Sequence, residues 1–263
     1  MDLGLQGRKA LVLGASKGLG AGTAAALAAE GCEVWIAARS VEALDAQAER
    51  IRAAHSGVVR THAVDLADPA SIEKLIGSVD DAGGVDILVA NGGGPPPSGA
   101  LGVPAEIWPA QFQTMIASLI AVTDALVPGM RARRFGRVIA IASSGVVQPI
   151  PTLAVSNTLR SALVAYMKTL AGEVAGDGVT VNVLLPGRIA TDRLASLDQA
   201  RAERLGKPVE EVTRASQASI PVGRYGTVEE FAALAAFLAG APASYVTGSV
   251  VRIDGGLIQS IGS

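Results

Sequence analysis

At 263 residues and 49% hydrophobic, the chain is long enough to bury the core of one open α/β sheet. With only 3% aromatic residues, that core must be built from small aliphatic side chains. A formal charge of −2 gives no basic footprint and argues against nucleic acid as a partner. One cysteine (Cys32) and two histidines (His55 and His62) allow no internal disulfide and offer no metal-ligand spacing, so no metal is expected. The segment from Met1 to Lys9 lacks the apolar core of a signal peptide, and no uninterrupted apolar run reaches the length of a membrane span. The expectation is a cytoplasmic chain with no membrane partner.

In chain order, seven short runs read as strands: Ala10–Leu13, Val34–Ala38, Val58–Val64, Asp86–Ala90, Val138–Ala142, Val179–Leu185 and Val250–Ile253. Most are apolar at consecutive positions, as parallel strands covered on both faces are. Helical patterns alternate with them at Gly18–Glu30, Val41–Ala54, Pro69–Asp80 and Thr227–Leu238. Asp68-Pro69, and Thr227 with Glu230 three residues on, are helix-start signals. This alternation predicts one Rossmann-type domain over 1–263, a doubly wound parallel sheet of about seven strands with right-handed crossovers. Residues 188–224 lack a clean period and read as an inserted helical lid or substrate loop. The run 92–99, Gly-Gly-Gly-Pro-Pro-Pro-Ser-Gly, joins a flexible piece to a stiff one and serves either as a pocket wall or as a surface connection.

The first strand leads into Gly14-Ala15-Ser16-Lys17-Gly18-Leu19-Gly20, a G-x-x-x-G-x-G variant of the dinucleotide fingerprint. Glycine permits the tight turn and lets backbone N–H groups approach a pyrophosphate at the helix N-terminus. The second strand ends in Arg39-Ser40, with no acidic residue to bind the ribose hydroxyls of NAD. Arg39, with Lys17 as a second cation, suits the 2′-phosphate of NADP(H), although either charge alone is often simply solvated. Asp65 after the third strand would reach the adenine amino group or serve as a turn residue. Asn91-Gly92-Gly93 follows the fourth strand, where glycine lets the backbone pass a cofactor ribose.

Taken together, the glycine turn, Asp65, Asn91-Gly92-Gly93, Ser143, Pro186-Gly187, and Val246-Thr247-Gly248 through Ile253-Asp254-Gly255-Gly256 resemble the short-chain dehydrogenase/reductase family. The flavour is that of the 3-oxoacyl-(acyl-carrier-protein) reductases, and the resemblance covers nearly the whole chain. It implies a cofactor-binding set of Gly14, Ser16, Lys17, Gly18, Leu19, Gly20, Arg39, Ser40, Asp65, Leu66, Asn91, Gly92, Arg160, Pro186, Gly187, Ile189 and Thr191. It also implies a small-molecule substrate and a homo-dimer or homo-tetramer built on helices near 105–130 and 152–175 and the last strand.

In that family a serine polarises the substrate carbonyl, a tyrosine passes the proton, and a lysine binds ribose and lowers the tyrosine pKa. Ser143 fits the serine, with Ser144 as a one-residue alternative. The tyrosine position falls on Ser156 and the lysine position on Arg160, giving catalytic candidates Ser143, Ser156 and Arg160. The relay asparagine falls on Ser118. No Tyr-x-x-x-Lys exists in any register, since Tyr166, Tyr225 and Tyr245 are followed four residues later by Leu170, Glu229 and Ser249. An aliphatic hydroxyl is a far weaker acid than a phenol of pKa about 10, whereas arginine keeps the cation. Two functions follow from this pattern. One is an NADP(H)-dependent oxidoreductase of a small carbonyl or alcohol with a non-standard site; the other is a non-catalytic NADP(H)-binding regulatory or scaffolding protein. Arg188, after Pro186-Gly187, either clamps an anionic substrate or lies in solvent.

Overall fold

The computed structural model describes residues 1–55 and 57–261. Each of the seven apolar runs is a strand: β1 (Lys9–Leu13), β2 (Glu33–Ala38), β3 (Val59–Ala63), β4 (Ile87–Ala90), β5 (Gly136–Ile141), β6 (Val179–Pro186) and β7 (Val250–Ile253). They pair in parallel in the order β3-β2-β1-β4-β5-β6-β7. The order reverses between β1 and β4, and this opens a crevice at the C-terminal ends of the central strands. Every residue of β4 and β5 is buried, which is why β4 and the Val138–Ile141 part of β5 are apolar without alternation.

Helices α1 (Gly18–Ala29), α2 (Val41–Ala54) and α9 (Val228–Ala239) cover one face, packing Leu27, Leu44, Ile51 and Phe231. The other face carries α3 (Pro69–Asp81), the short α4 (Ile107–Phe112), α5 (Ser118–Ala132) and α6 (Ala154–Val174). Leu75, Leu126 and Leu163 lie in that second core. The segment 188–224 contains α7 (Asp192–Leu205) and α8 (Val209–Ala218). Cys32 is fully buried, and burial pushes its thiol up to about 12, so it packs as a small apolar side chain.

No uninterrupted apolar run reaches span length, but one interrupted stretch does by helix length and composition. Residues Ile107–Ala132, with the π turn Gln113–Ala117 joining α4 to α5, form a helical stretch of 26 residues that is long and apolar enough to cross a bilayer. Polar residues interrupt it in sequence, but here Leu119, Val122, Leu126 and Met130 lie buried at helical spacing against the sheet.

Helix starts follow the local signals. Asp68 accepts from the Ala70 N–H at 3.0 Å with Pro69 at the first helical position, and Thr227 and Glu230 form a reciprocal capping box. Glu230 also pairs with Arg224 at 2.7 Å, and these partners pull its carboxyl down to about 2 from an ordinary 4.5. A carboxyl whose folded pKa is depressed stabilises the fold above its unfolded value, and this contribution disappears as pH falls through the folded one. Glu230→Gln is therefore expected to flatten the loss of Tm between pH 4.5 and pH 2. Superimposable acid branches for the two proteins would refute the assignment.

Candidate active site

After β1 the backbone turns through Gly14 and Gly18, both left-handed at φ 61° and 59°. A Cβ on Gly14 would lie 2.8 Å from the Asn91 carbonyl oxygen, and one on Gly20 only 2.3 Å from the Gly14 carbonyl oxygen. Asn91 Nδ2 donates to that same Gly14 carbonyl at 3.3 Å, tying the ends of β1 and β4 together. Lys17 precedes α1 without a side-chain cap, so the first-turn N–H groups face the turn with partial positive charge. Ser16 and Leu19 border this cradle half-buried. A side chain would fill the cradle, whereas backbone N–H groups lining it suit a diphosphate.

Around this cradle stand the other residues expected to hold a cofactor. Arg39 is exposed just beyond β2 and makes no ion pair among the described residues. Lys17 instead leans toward Asp192, with Nζ to Oδ2 at 3.9 Å and both side chains largely exposed, a weak pairing. Ser40 caps α2 by accepting from Ala43 N–H at 3.2 Å, and Asp65 accepts from Ala67 N–H at 3.0 Å, so both also do local turn work. Leu66 packs half-buried against the core. On the far side, Thr191 caps α7, and its methyl lies 3.6 Å from where a Gly18 Cβ would stand. Gly187 passes so close to Asp254 that a Cβ would sit 2.6 Å from the Asp254 Cα. Ile189 is buried in a bridge to Gly226, and Pro186 closes β6. Gly92 faces Met115, whose Cα is 3.8 Å from a Gly92 Cβ position.

That last contact corrects the expected relay position. Ser118 is fully buried and donates its hydroxyl to the Thr114 carbonyl at 2.9 Å. The π turn advances the helix so that Thr114–Met115, one turn earlier, approaches the β4 end.

At the end of β5, Ser143 Oγ accepts from Gly145 N–H at 3.1 Å and keeps its own proton to donate. Ser144 is buried at the start of the following turn. Asn157 crosses to the same segment, donating to the Ile150 carbonyl at 3.0 Å, and its Oδ1 stands 2.3 Å from where a Gly145 Cβ would be. Sequence reasoning overlooked Asn157; its place next to Ser156 was the available signal. Ser156 is buried in the first turn of α6, and its hydroxyl has no hydrogen-bond partner among the described residues. One turn on, Arg160 donates to the Ile141 carbonyl at 2.9 Å and the Gly93 carbonyl at 3.3 Å, bridging the ends of β5 and β4. Burial and the nearby Arg193 charge pull its guanidinium down to about 10, so it stays a cation at neutral pH.

None of the three tyrosines takes the vacated place. Tyr166 donates to Asp124, Tyr225 donates to Asp198, and Tyr245 is fully exposed.

The glycine-proline loop is mostly exposed but is tied at several points to the helices beside it. Ser98 bridges to Leu153, and its carbonyl accepts from Ala154 N–H, capping α6 immediately before Ser156. Arg160 holds Gly93, and Arg193 donates to the Pro95 carbonyl at 2.8 Å. Arg188, by contrast, is partly buried, and its Nε has no hydrogen-bond partner among the described residues. Its Nη1 lies 3.8 Å from Oδ1 of Asp198, a buried carboxylate that also accepts from Tyr225 at 2.6 Å and from Thr213 at 3.4 Å. Burial and the Asp198 carboxylate both raise the Tyr225 pKa, so the phenol remains protonated there.

A glycine turn at a strand-order reversal, with a hydroxyl and a fixed cation at the next two strand ends, defines a dinucleotide-binding α/β fold of oxidoreductase type. Residues 14–258 match the family model described as Enoyl-(Acyl carrier protein) reductase. The chain belongs to the short-chain dehydrogenase/reductase family. It is 34% identical to the 3-oxoacyl-[acyl-carrier-protein] reductase FabG of Escherichia coli over 97% of this chain and 99% of that one. An uncharacterized oxidoreductase of Bacillus subtilis, YvrD, is 30% identical over 99% of this chain and 100% of that one. Among solved structures, L-sorbose reductase from Gluconobacter frateurii, complexed with NADPH and L-sorbose, superposes with a TM-score of 0.94. The two are 31% identical, with 99% of this chain and 100% of that one covered.

Proposed function

We propose that the chain is an NADP(H)-dependent oxidoreductase that moves hydride between the nicotinamide and a small carbonyl or alcohol. The observation that carries this reading is the placement of Arg160. It bridges the ends of β4 and β5 on the same sheet edge as the backbone cradle at Gly14–Gly20. The Gly14–Gly20 turn would hold the diphosphate of a dinucleotide, and Arg160 would hold its nicotinamide ribose. The nicotinamide, when bound, supplies or accepts the hydride. Ser143 donates a hydrogen bond from its free hydroxyl to the substrate oxygen and so polarises it. Arg160 binds the ribose and, through its fixed charge, favours negative charge developing on that oxygen. Because it remains protonated, Arg160 does not deliver the proton, which comes instead from water or from a substrate group held beside Ser143 and Ser156. The loop at 92–99 borders this end, held by Arg160 and Arg193. The sorbose reductase complex with NADPH supports the choice of cofactor.

Arg39 is the residue proposed to select NADP(H) through the 2′-phosphate. A charge-assisted hydrogen bond of about 1.5–3 kcal/mol predicts that Arg39→Leu raises the NADPH dissociation constant by roughly 10- to 100-fold. The NADH constant should change little. Fluorescence titration of both cofactors reads this directly, and equal weakening of the two would refute the role of Arg39.

We place the protein in the cytoplasm as a homo-oligomer. Supporting the second point, β7 is an edge strand whose residues are all only half-buried. Beside it, Ser161, Val164, Ala165 and Lys168 of α6 line an open concavity of about 530 Å³ with Gly248–Val250.

A further inference from the structure

Two guanidinium groups meet on one short loop with no carboxylate between them. Arg160 reaches it from α6 and Arg193 from the first turn of α7, donating to the carbonyls of Gly93 and Pro95. Their Nη2 atoms stand 3.6 and 3.7 Å from the point a Cβ on Gly94 would occupy. Neutral carbonyls orient these side chains but leave both charges unmatched, and neither arginine makes an ion pair among the described residues. The carboxylate nearest Arg193 in sequence, Asp192, is turned to Lys17. Arg188, the other cation of this region, is matched by the buried Asp198. Both guanidinium groups retain unused donors in a planar fork suited to an oxyanion.

Their position says which oxyanion. Thr191 abuts the glycine turn, where the diphosphate cradle lies, but Arg193 points the other way, to the loop after β4. The two guanidinium groups therefore flank the reacting end of the crevice, close to Ser156 and to the segment that carries Ser143. We propose that Arg193, together with Arg160, receives a carboxylate of the substrate, which makes the substrate class an oxo acid or hydroxy acid. This rests on the oxidoreductase reading above. Arg193 would act as a specificity-determining residue, with the Gly93–Pro95 backbone setting its direction.

The test uses the full chain saturated with NADP+, with which a ketone binds without being reduced. Calorimetry gives dissociation constants for acetoacetate and 4-oxopentanoate, each against its neutral amide, and for inorganic phosphate. Each acid is expected to bind about tenfold or more tightly than its amide. Arg193→Gln should bring that ratio to near one, Arg193→Lys should keep part of it, and the NADP+ constant should be unchanged in both. Absence of acid binding, a ratio near one in the unaltered chain, or a ratio that survives Arg193→Gln overturns the proposal. So does phosphate binding as tightly as the acids, or a weakened NADP+ constant in Arg193→Gln, which would assign the residue to the cofactor. Failure of NADP+ to bind the unaltered chain overturns the oxidoreductase reading itself and this inference with it.

Discussion

Replacing Arg160 with methionine is expected to raise the NADPH dissociation constant by about 10- to 100-fold. Two of its donors hold the Ile141 and Gly93 carbonyls, and the same cation is proposed to bind the ribose. A hydrogen bond involving a charged group contributes about 1.5–3 kcal/mol, or roughly one to two decades of affinity. The methionine chain fills similar volume but leaves two carbonyls without their donor. The ends of β4 and β5 lose their tie together with the charge. Arg160→Lys should be intermediate, because a point ammonium keeps the charge but spans two carbonyls poorly. Fluorescence titration of NADPH against the three proteins checks this; a methionine variant within threefold of the unaltered chain would remove Arg160 from the cofactor site.

Gly20→Ala is expected to be strongly damaging both to the fold and to cofactor binding. The added Cβ would sit 2.3 Å from the Gly14 carbonyl oxygen and 2.8 Å from its carbon, with Asn91 Nδ2 at 2.9 Å on the other side. Two of those neighbours are backbone, so relief requires the turn itself to move. Overpacking of this kind costs about 1–3 kcal/mol, which for a chain of this size lowers Tm by roughly 2–12 °C. NADPH binding should be lost with it, because the displaced turn is the diphosphate cradle. Two comparison variants isolate the cause. At Gly22 the obstructing atom is Cγ1 of Val228 at 2.1 Å, a side chain that can rotate, so Gly22→Ala should cost less. At Gly93 nothing lies within 4 Å, and Gly93→Ala should be near neutral. Thermal unfolding of the three variants would contradict the steric argument if they ranked otherwise.

The strands and their parallel character were legible because burial on both faces makes a run apolar at every position, a local signal that survives in the bare sequence. Helix starts at Asp68-Pro69 and Thr227 were legible for a similar reason, since a cap reads only three or four residues of chain. The substitution of Ser156 and Arg160 in the α6 register could also be read, because helical spacing ties the two positions together.

The placement of Ser118 could not be read, because the π turn ahead of α5 shifts which residues approach Gly92, and nothing in the local pattern announces that turn. The choice between Arg188 and Arg193 was equally hidden. Asp198 sits ten residues beyond Arg188, and the partner of Arg193 is Pro95, 98 residues away. By itself the sequence determined the sheet, the glycine turn and the loss of an acidic phenol, because each depends on periodicity or on the identity of neighbouring residues. Only the tertiary structure decided which cations are matched and which stand free, because a charge is neutralised by whatever the fold brings within a few ångströms. Chain order does not record that distance.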